Sequence, residues 1–215
     1  MIITIARQLG SGGGQVGQLV AQRLGIAYVD REILQRAAQL AEVPEEALQD
    51  ADERRPSLLE RMSALIVGYQ APLAPEYAPP EAVFLPHATY DSYRQLVEGS
   101  LREIAHRGSA VIVGRGGQVI LREHPDALHV YIYAPDAVRI QRLSQREATS
   151  PARAKQRARN SDQDREGYLR TYYGVDWHDP DLYDLVINTA RIGLEAAADL
   201  VVRAAQALPS RPASL

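Results

Sequence analysis

The chain has 215 residues, enough for one sizeable core, and its 46% hydrophobic and 24% charged composition is that of an ordinary globular protein. A formal net charge of -3 argues against a general nucleic-acid binder, and the absence of cysteine excludes disulfides and thiolate metal sites. The five histidines have no HExxH spacing, no run reaches the roughly 18 apolar residues of a membrane span, and the opening Met1 to Ala6 carries no leader-like region. The expectation is a cytoplasmic protein without a metal site built from its own residues, binding neither nucleic acid nor membrane.

Strand and helix signals alternate along the chain. Ile2 to Ala6 is a short β-branched run and reads as a buried strand. Val16, Leu19, Val20 and Leu24 then repeat at a helical period from Gln15, and Gly25 suits the stop. Ile26 to Val29 is a second strand ending on Asp30, followed by a helix over Glu32 to Leu40 and another starting at Pro44. Further strands are expected at Ala110 to Val113, Leu128 to Tyr133 and Asp184 to Ile187, with a last helix from Leu194 to Ala207. Five apolar strands separated by helices predict an α/β fold with a central five-stranded parallel sheet covered on both faces.

Two stretches interrupt the rhythm. Gln70 to Pro86 is too proline-dense for a helix or central strand and reads as an extended loop. Glu147 to Gly174 is polar and arginine-rich. From Arg139 to Arg170 nine basic residues stand against four acidic ones, leaving the remainder of the chain acidic. Such a run is ordinarily a solvated face, and Arg139 and Arg146 are read that way.

The chemistry-bearing feature is the loop Arg7-Gln8-Leu9-Gly10-Ser11-Gly12-Gly13-Gly14 between the first strand and first helix. Backbone N–H groups of such a loop, with the helix N-terminus behind them, bind anions, and Gly10, Ser11, Gly12, Gly13, Gly14 and Gln15 are the candidate contacts for a phosphate donor. Gly12-x-Gly14-x-x-Gly17 also fits a dinucleotide fingerprint, with Asp30 near its ribose-binding acid. Five residues, however, separate Gly12 from Ala6, an arch longer than that turn uses. Aligned instead on the phosphate-loop pattern GxxxxGK[ST], the chain has Arg7 at the first glycine, Gly13 at the lysine and Gly14 at the hydroxyl residue. Arg7 is a candidate replacement cation, and Ser11 and Gln15 are the nearest groups for a metal ion or its waters.

With a second site included, the chain resembles the nucleoside monophosphate kinases, and within them the cytidylate-kinase-like branch. The resemblance is carried by Ile3 to Ala38, by Val111-Ile112-Val113-Gly114-Arg115-Gly116-Gly117, by the arginine-rich stretch, and by Asp184 to Thr189. It implies a three-layer P-loop kinase-like sandwich over residues 1–207, with a core at about 1–42 and 107–207. A helical, proline-containing acceptor-side insertion falls at about 43–106, a lid at about 147–174, and a flexible tail at 208–215. By that resemblance Asp30, Arg36, Arg115 and Asp184 serve the acceptor. Arg159, Asp162 and Arg165 match the catalytic lid pattern, and Arg153 and Arg157 lie in the same lid. Gly116 stands where the family motif has aspartate.

The implied activity is transfer of the γ-phosphoryl group of a nucleoside triphosphate, as ATP with Mg2+, to a small phosphate-bearing acceptor such as CMP or dCMP. Arg7 would act on the donor. Two alternatives stay open: a catalytically inactive nucleotide- or phosphate-binding module of the same fold, and a phosphotransferase with a non-nucleotide acceptor. The inactive module implies that a lysine restored at position 13 would raise phosphate affinity.

Overall fold

The structure, a computed structural model, describes residues 1–30 and 90–208. Arg36, the helices expected from Glu32 and Pro44, the proline-dense stretch and nearly all of the tail lie outside the described residues. Strand β1 (Ile2–Arg7) leads into helix α1 (Gly13–Leu24) and strand β2 (Ala27–Val29). Helix α2 (Tyr90–Arg107), strand β3 (Ala110–Val113) and the one-turn helix α3 (Gly117–Ile120) follow. Strand β4 (Ala127–Tyr133), helix α4 (Asp136–Glu147), helix α5 (Pro151–Tyr173), strand β5 (Leu185–Asn188) and helix α6 (Leu194–Ala207) complete the described order.

The five strands form one parallel sheet in the order β2-β3-β1-β4-β5. β1 is central, and β3 lies between it and β2. A dinucleotide fold sets its second strand directly beside the first. This order therefore removes the dinucleotide alternative and leaves the longer phosphate arch.

Alternation along the central strands decides the layers. Ile3 and Ile5 join Val111, Val113, Val130 and Ile132 against α1 and α6, where Val16, Val20, Ala197 and Val201 are buried. Ile2 and Ile112 face the other way, onto Val97 and Leu101 of α2 and Leu121. Each such aliphatic side chain contributes about 1.5–3 kcal/mol on burial. Ala6 and Tyr131 meet Tyr168, Leu169 and Trp177 at the α5 end of that second face.

The polar stretch at 147–174 is largely one 23-residue helix. Charged residues fill its solvent positions, while Ala154 and Ala158, four apart, pack with Leu143 of α4, and Tyr168 and Leu169 reach the core. Its start is well specified: Pro151 occupies the first turn and the Ser150 hydroxyl accepts from the Arg153 N–H at 3.4 Å. Among the described residues no helix is long and apolar enough to cross a membrane.

Between α4 and α5, Ala148 caps α4 at φ 48°, in the left-handed region. A Cβ is disfavoured there and glycine is the usual residue. Ala148→Gly should stabilise the fold by about 1 kcal/mol, read as a rise in Tm of ~2–4 °C; an unchanged or lower Tm would contradict this reading of the cap.

His129 is buried in the centre of the second face, its Nδ1 2.7 Å from the Thr4 hydroxyl. Burial lowers its pKa, against the partial opposition of Asp184, with His124 and Arg122 adding to the lowering. The unfolded chain therefore takes up a proton near pH ~6.5 that the folded chain refuses. Stability should fall as pH drops below about 6.5 and level off once the folded histidine protonates. Denaturation midpoints from pH 5 to 8 should show this fall, flattened in His129→Gln; parallel curves for the two proteins would contradict it.

Candidate functional site

At the carboxyl end of β1 the chain turns through Gln8 to Gly12 into α1. Gly10 at φ 82° and Gly12 at φ 86° take left-handed conformations that side chains resist. Gly10 also packs so closely on α4 that a Cβ would stand 2.8 Å from the Arg139 carbonyl oxygen. The Gln8 N–H donates to Ile132 O at 3.1 Å and the Ser11 N–H to Gln8 O at 3.2 Å. Among the described residues, the N–H groups of Gly10, Gly12, Gly13, Gly14 and Gln15 have no acceptor. These donors gather at the N-terminus of α1, whose first turn holds no acidic residue. The result is a concentration of positive potential suited to an anion.

Ser11 does not reach toward that space. It is fully buried and its hydroxyl donates back to Gln8 O at 2.8 Å. Gln15 is exposed, position 14 carries no hydroxyl, and no group of three acidic or histidine side chains gathers among the described residues. The described residues thus provide no ready-made cage of carboxylates or histidines for a metal ion.

Arg7 and Gly13 are sterically coupled. A Cβ at Gly13 would lie 2.5 Å from Arg7 Cβ, 3.0 Å from Arg7 Cγ and 3.3 Å from Ile132 Cβ. The stem of Arg7 therefore crosses the space that any side chain at position 13 would need, which is the position of the lysine in the usual loop. A lysine introduced there on its own collides with Arg7, so the expected gain in phosphate affinity does not follow from that single change.

Beside the loop, at the carboxyl ends of β1 and β3, a cleft is lined by Ala6, Arg7, Gly114, Gly116, Gln118, Arg165, Tyr168, Leu169 and Trp177. Gly114, Arg115 and Gly116 adopt φ 85°, 61° and 68° in succession. The non-glycine member costs about 1–3 kcal/mol of strain. The Arg115 side chain is buried, at 4% exposed. Its pKa is lowered to about 9, first by burial and then by the charge of Arg7, with Asp30 and Tyr168 opposing and Arg165 adding to the lowering. Arg7, Arg115, Arg165 and Asp30 thus share one electrostatic neighbourhood. Asp30 accepts from the Tyr28 hydroxyl at 3.3 Å, and burial together with this carboxylate raises the Tyr28 pKa to about 12. At Gly116 a Cβ would meet nothing closer than 3.4 Å, so its backbone conformation, not crowding, favours glycine.

The predicted lid residues divide. Arg165 lines the cleft. Asp162 instead accepts from the Leu9 N–H at 3.1 Å and pairs with Arg139 and, at 3.5 Å, with Arg165. Arg153 and Arg159 are exposed, and Arg157 pairs with Glu147 at 2.8 Å on the surface. Asp184 is also apart from the cleft. Its carboxylate accepts from the His129 N–H at 2.7 Å and its own N–H donates to His129 O, extending the β4–β5 ladder toward the amino ends of the strands. These bonds tie β5 to β4.

Arg146 is exposed and paired with Glu147, as a solvated face requires. Arg139 corrects that expectation: it is 4% exposed, bonded to Asp136, Asp162 and Leu9 O, and its burial is outweighed by the two carboxylates. Trp177 packs edge-on against Tyr131 at 5.4 Å, and Tyr168 packs against both Tyr172 and Tyr173, so these aromatics form part of the core beside the cleft. Gln118, 2% exposed on the cleft wall, had no signal beyond following two glycines.

A model of the cytidylate kinase-like family matches residues 2–191. Cytidylate kinase of Halobacterium salinarum is 33% identical over 108 residues, covering 50% of this chain and 56% of the relative. That of Thermococcus sibiricus is 40% identical over 92 residues, covering 42% of this chain and 46% of the relative. The chain thus spans about half the length of the curated relatives it matches. Among solved structures, an uncharacterized protein from Eubacterium ventriosum aligns with TM-score 0.69 and 20% identity, over 96% of this chain and 99% of that one. Shikimate kinase from Bacteroides thetaiotaomicron aligns with TM-score 0.52 and 11% identity, over 96% and 98%, a likeness of fold. With the phosphate-loop topology and a family match running from the first strand past the last, the chain belongs to the cytidylate kinase-like family.

Proposed function

We propose that the chain is a phosphotransferase that moves the γ-phosphoryl group of a nucleoside triphosphate to a small phosphate-bearing acceptor, with CMP or dCMP the first candidates. The observation that carries this reading is the set of acceptor-free N–H groups at Gly10 and Gly12 to Gln15, with the Arg7 stem lying across position 13. The loop would hold the β- and γ-phosphates, and Arg7 would supply the charge that a lysine gives elsewhere. Arg165, which lines the cleft, and Arg115, buried behind its neighbours Gly114 and Gly116, would neutralise the acceptor and the group in flight. Asp30, and Arg36 by resemblance, would border the acceptor. An acceptor phosphate oxygen forms the new P–O bond as the bond to the β-phosphate oxygen breaks, leaving the nucleoside diphosphate. That oxygen is already anionic, so positioning and electrostatics supply the catalysis. Mg2+ would arrive with the triphosphate.

A second reading, a nucleotide-binding module without turnover, is favoured by the inward-facing Ser11 hydroxyl and the glycine at position 14. A coupled assay with ATP or GTP, Mg2+ and the full set of nucleoside monophosphates separates the two. Turnover on at least one pyrimidine acceptor is expected; nucleotide binding without turnover on any acceptor leaves the module.

Arg7→Ala should lower kcat/KM by about 100-fold or more, the loss of a buried phosphate contact and its transition-state charge. Gly13→Lys alone should be less active and less stable than the parent. The paired change Arg7→Gly with Gly13→Lys should recover ATP affinity relative to both single variants, because it clears the space and returns the cation. Simple additivity of the two changes would contradict the steric coupling.

A further inference from the structure

The acceptor-free N–H groups of the loop depend on contacts made behind it. The Leu9 carbonyl accepts from Arg139 Nη1 at 3.1 Å, and the Ser11 carbonyl accepts from Arg142 Nη1 at 2.9 Å. Both arginines come from α4, three residues apart and therefore on one side of the helix. Thr189, just after β5 and 1% exposed, donates its hydroxyl to the same Ser11 carbonyl at 2.6 Å. That hydroxyl accepts from Arg142 Nη1 at 3.0 Å, and Arg142 Nη2 reaches Thr189 O at 3.1 Å. Asp162 of α5 closes the brace by accepting from the Leu9 N–H and pairing with Arg139.

In a planar trans peptide, the carbonyl of one residue and the N–H of the next point in opposite directions. Fixing Leu9 O toward α4 therefore turns the Gly10 N–H away from α4, and fixing Ser11 O turns the Gly12 N–H the same way. These are two of the donors without an acceptor. In a segment with glycine at 10, 12, 13 and 14, the local bonds are those from Ser11 to Gln8 O, and ordering so flexible a backbone is entropically costly.

We infer that Arg139, Arg142 and Thr189 are positioning residues: from behind the loop they aim the Gly10 and Gly12 N–H groups at the phosphates of the bound donor. This rests on the reading of the loop as a phosphate site. It assigns a function in donor binding to residues that touch no substrate. The guanidinium charges also polarise the two peptide groups and strengthen the N–H groups as donors.

The test uses the full chain, titrated calorimetrically with ATP and with inorganic pyrophosphate, alongside urea midpoints. The variants are Thr189→Val, which keeps volume and removes the hydroxyl, and Arg142→Lys, which keeps charge and removes the fork. Each should weaken both ligands by about tenfold, the scale of a lost charge-linked hydrogen bond. His129→Gln is the comparison, lowering the urea midpoint without changing either affinity. A purely structural role for Thr189 and Arg142 would also lower the midpoint alone, leaving affinities at the parent value in the absence of urea, and would overturn the inference. Failure of the parent chain itself to bind either ligand would instead overturn the phosphate-loop reading on which it rests.

Discussion

A row of backbone N–H groups can face one side only if the matching carbonyls are satisfied on the other. That constraint governs the end of β1. The Leu9 and Ser11 carbonyls are held by α4 and by Thr189 beyond β5, while the helix start leaves its own donors without acceptors. The sheet order makes this possible. With β1 central, β4 beside it and β5 beyond β4, α4 and the residues after β5 emerge next to the loop. The hydrophobic layers matter to the site mainly because they hold these elements in register.

Arginine serves two distinct purposes around this point. Arg139 and Arg142 spend their donors on protein oxygens and fix geometry. Arg7 and Arg165 line the cleft and Arg115 lies buried close by, so their charges add positive potential there whatever else they bond to. Arg115 carries backbone strain at φ 61°, and burial, followed by the charge of Arg7, lowers its pKa. Arg7 has a further consequence for the sequence, since its stem makes glycine the fitting residue at position 13. The departures at positions 7 and 13, which look like independent losses in a motif, are one steric arrangement.

Much of this was legible beforehand. The alternation of apolar runs gave all five strands to within a residue or two at either end, and the last helix at its observed bounds. The arch from Arg7 to Gly14 was recognisable by its distance from the strand. Roles that depend on side-chain direction were not. Arg139 and Arg157 sit in one charged run, yet Arg139 is buried under the loop and Arg157 is on the surface. Periodicity gives the faces of a helix, but not which face meets a loop distant in sequence. Asp184 likewise matched a motif at a strand end, and only the β4–β5 register shows that it is the amino end. The 23-residue helix in the arginine-rich stretch was hidden because its apolar face is narrow: two alanines, a tyrosine and a leucine carry the burial.

The central claim is that the backbone of this loop takes up phosphate. Amide proton and nitrogen NMR shifts of the labelled chain, followed through a pyrophosphate titration, test it most directly. The signals of Gly10, Gly12, Gly13 and Gly14 are expected to move downfield together with one dissociation constant, as new N–H hydrogen bonds form. Saturable shifts elsewhere in the protein, with these four signals unmoved, would contradict it.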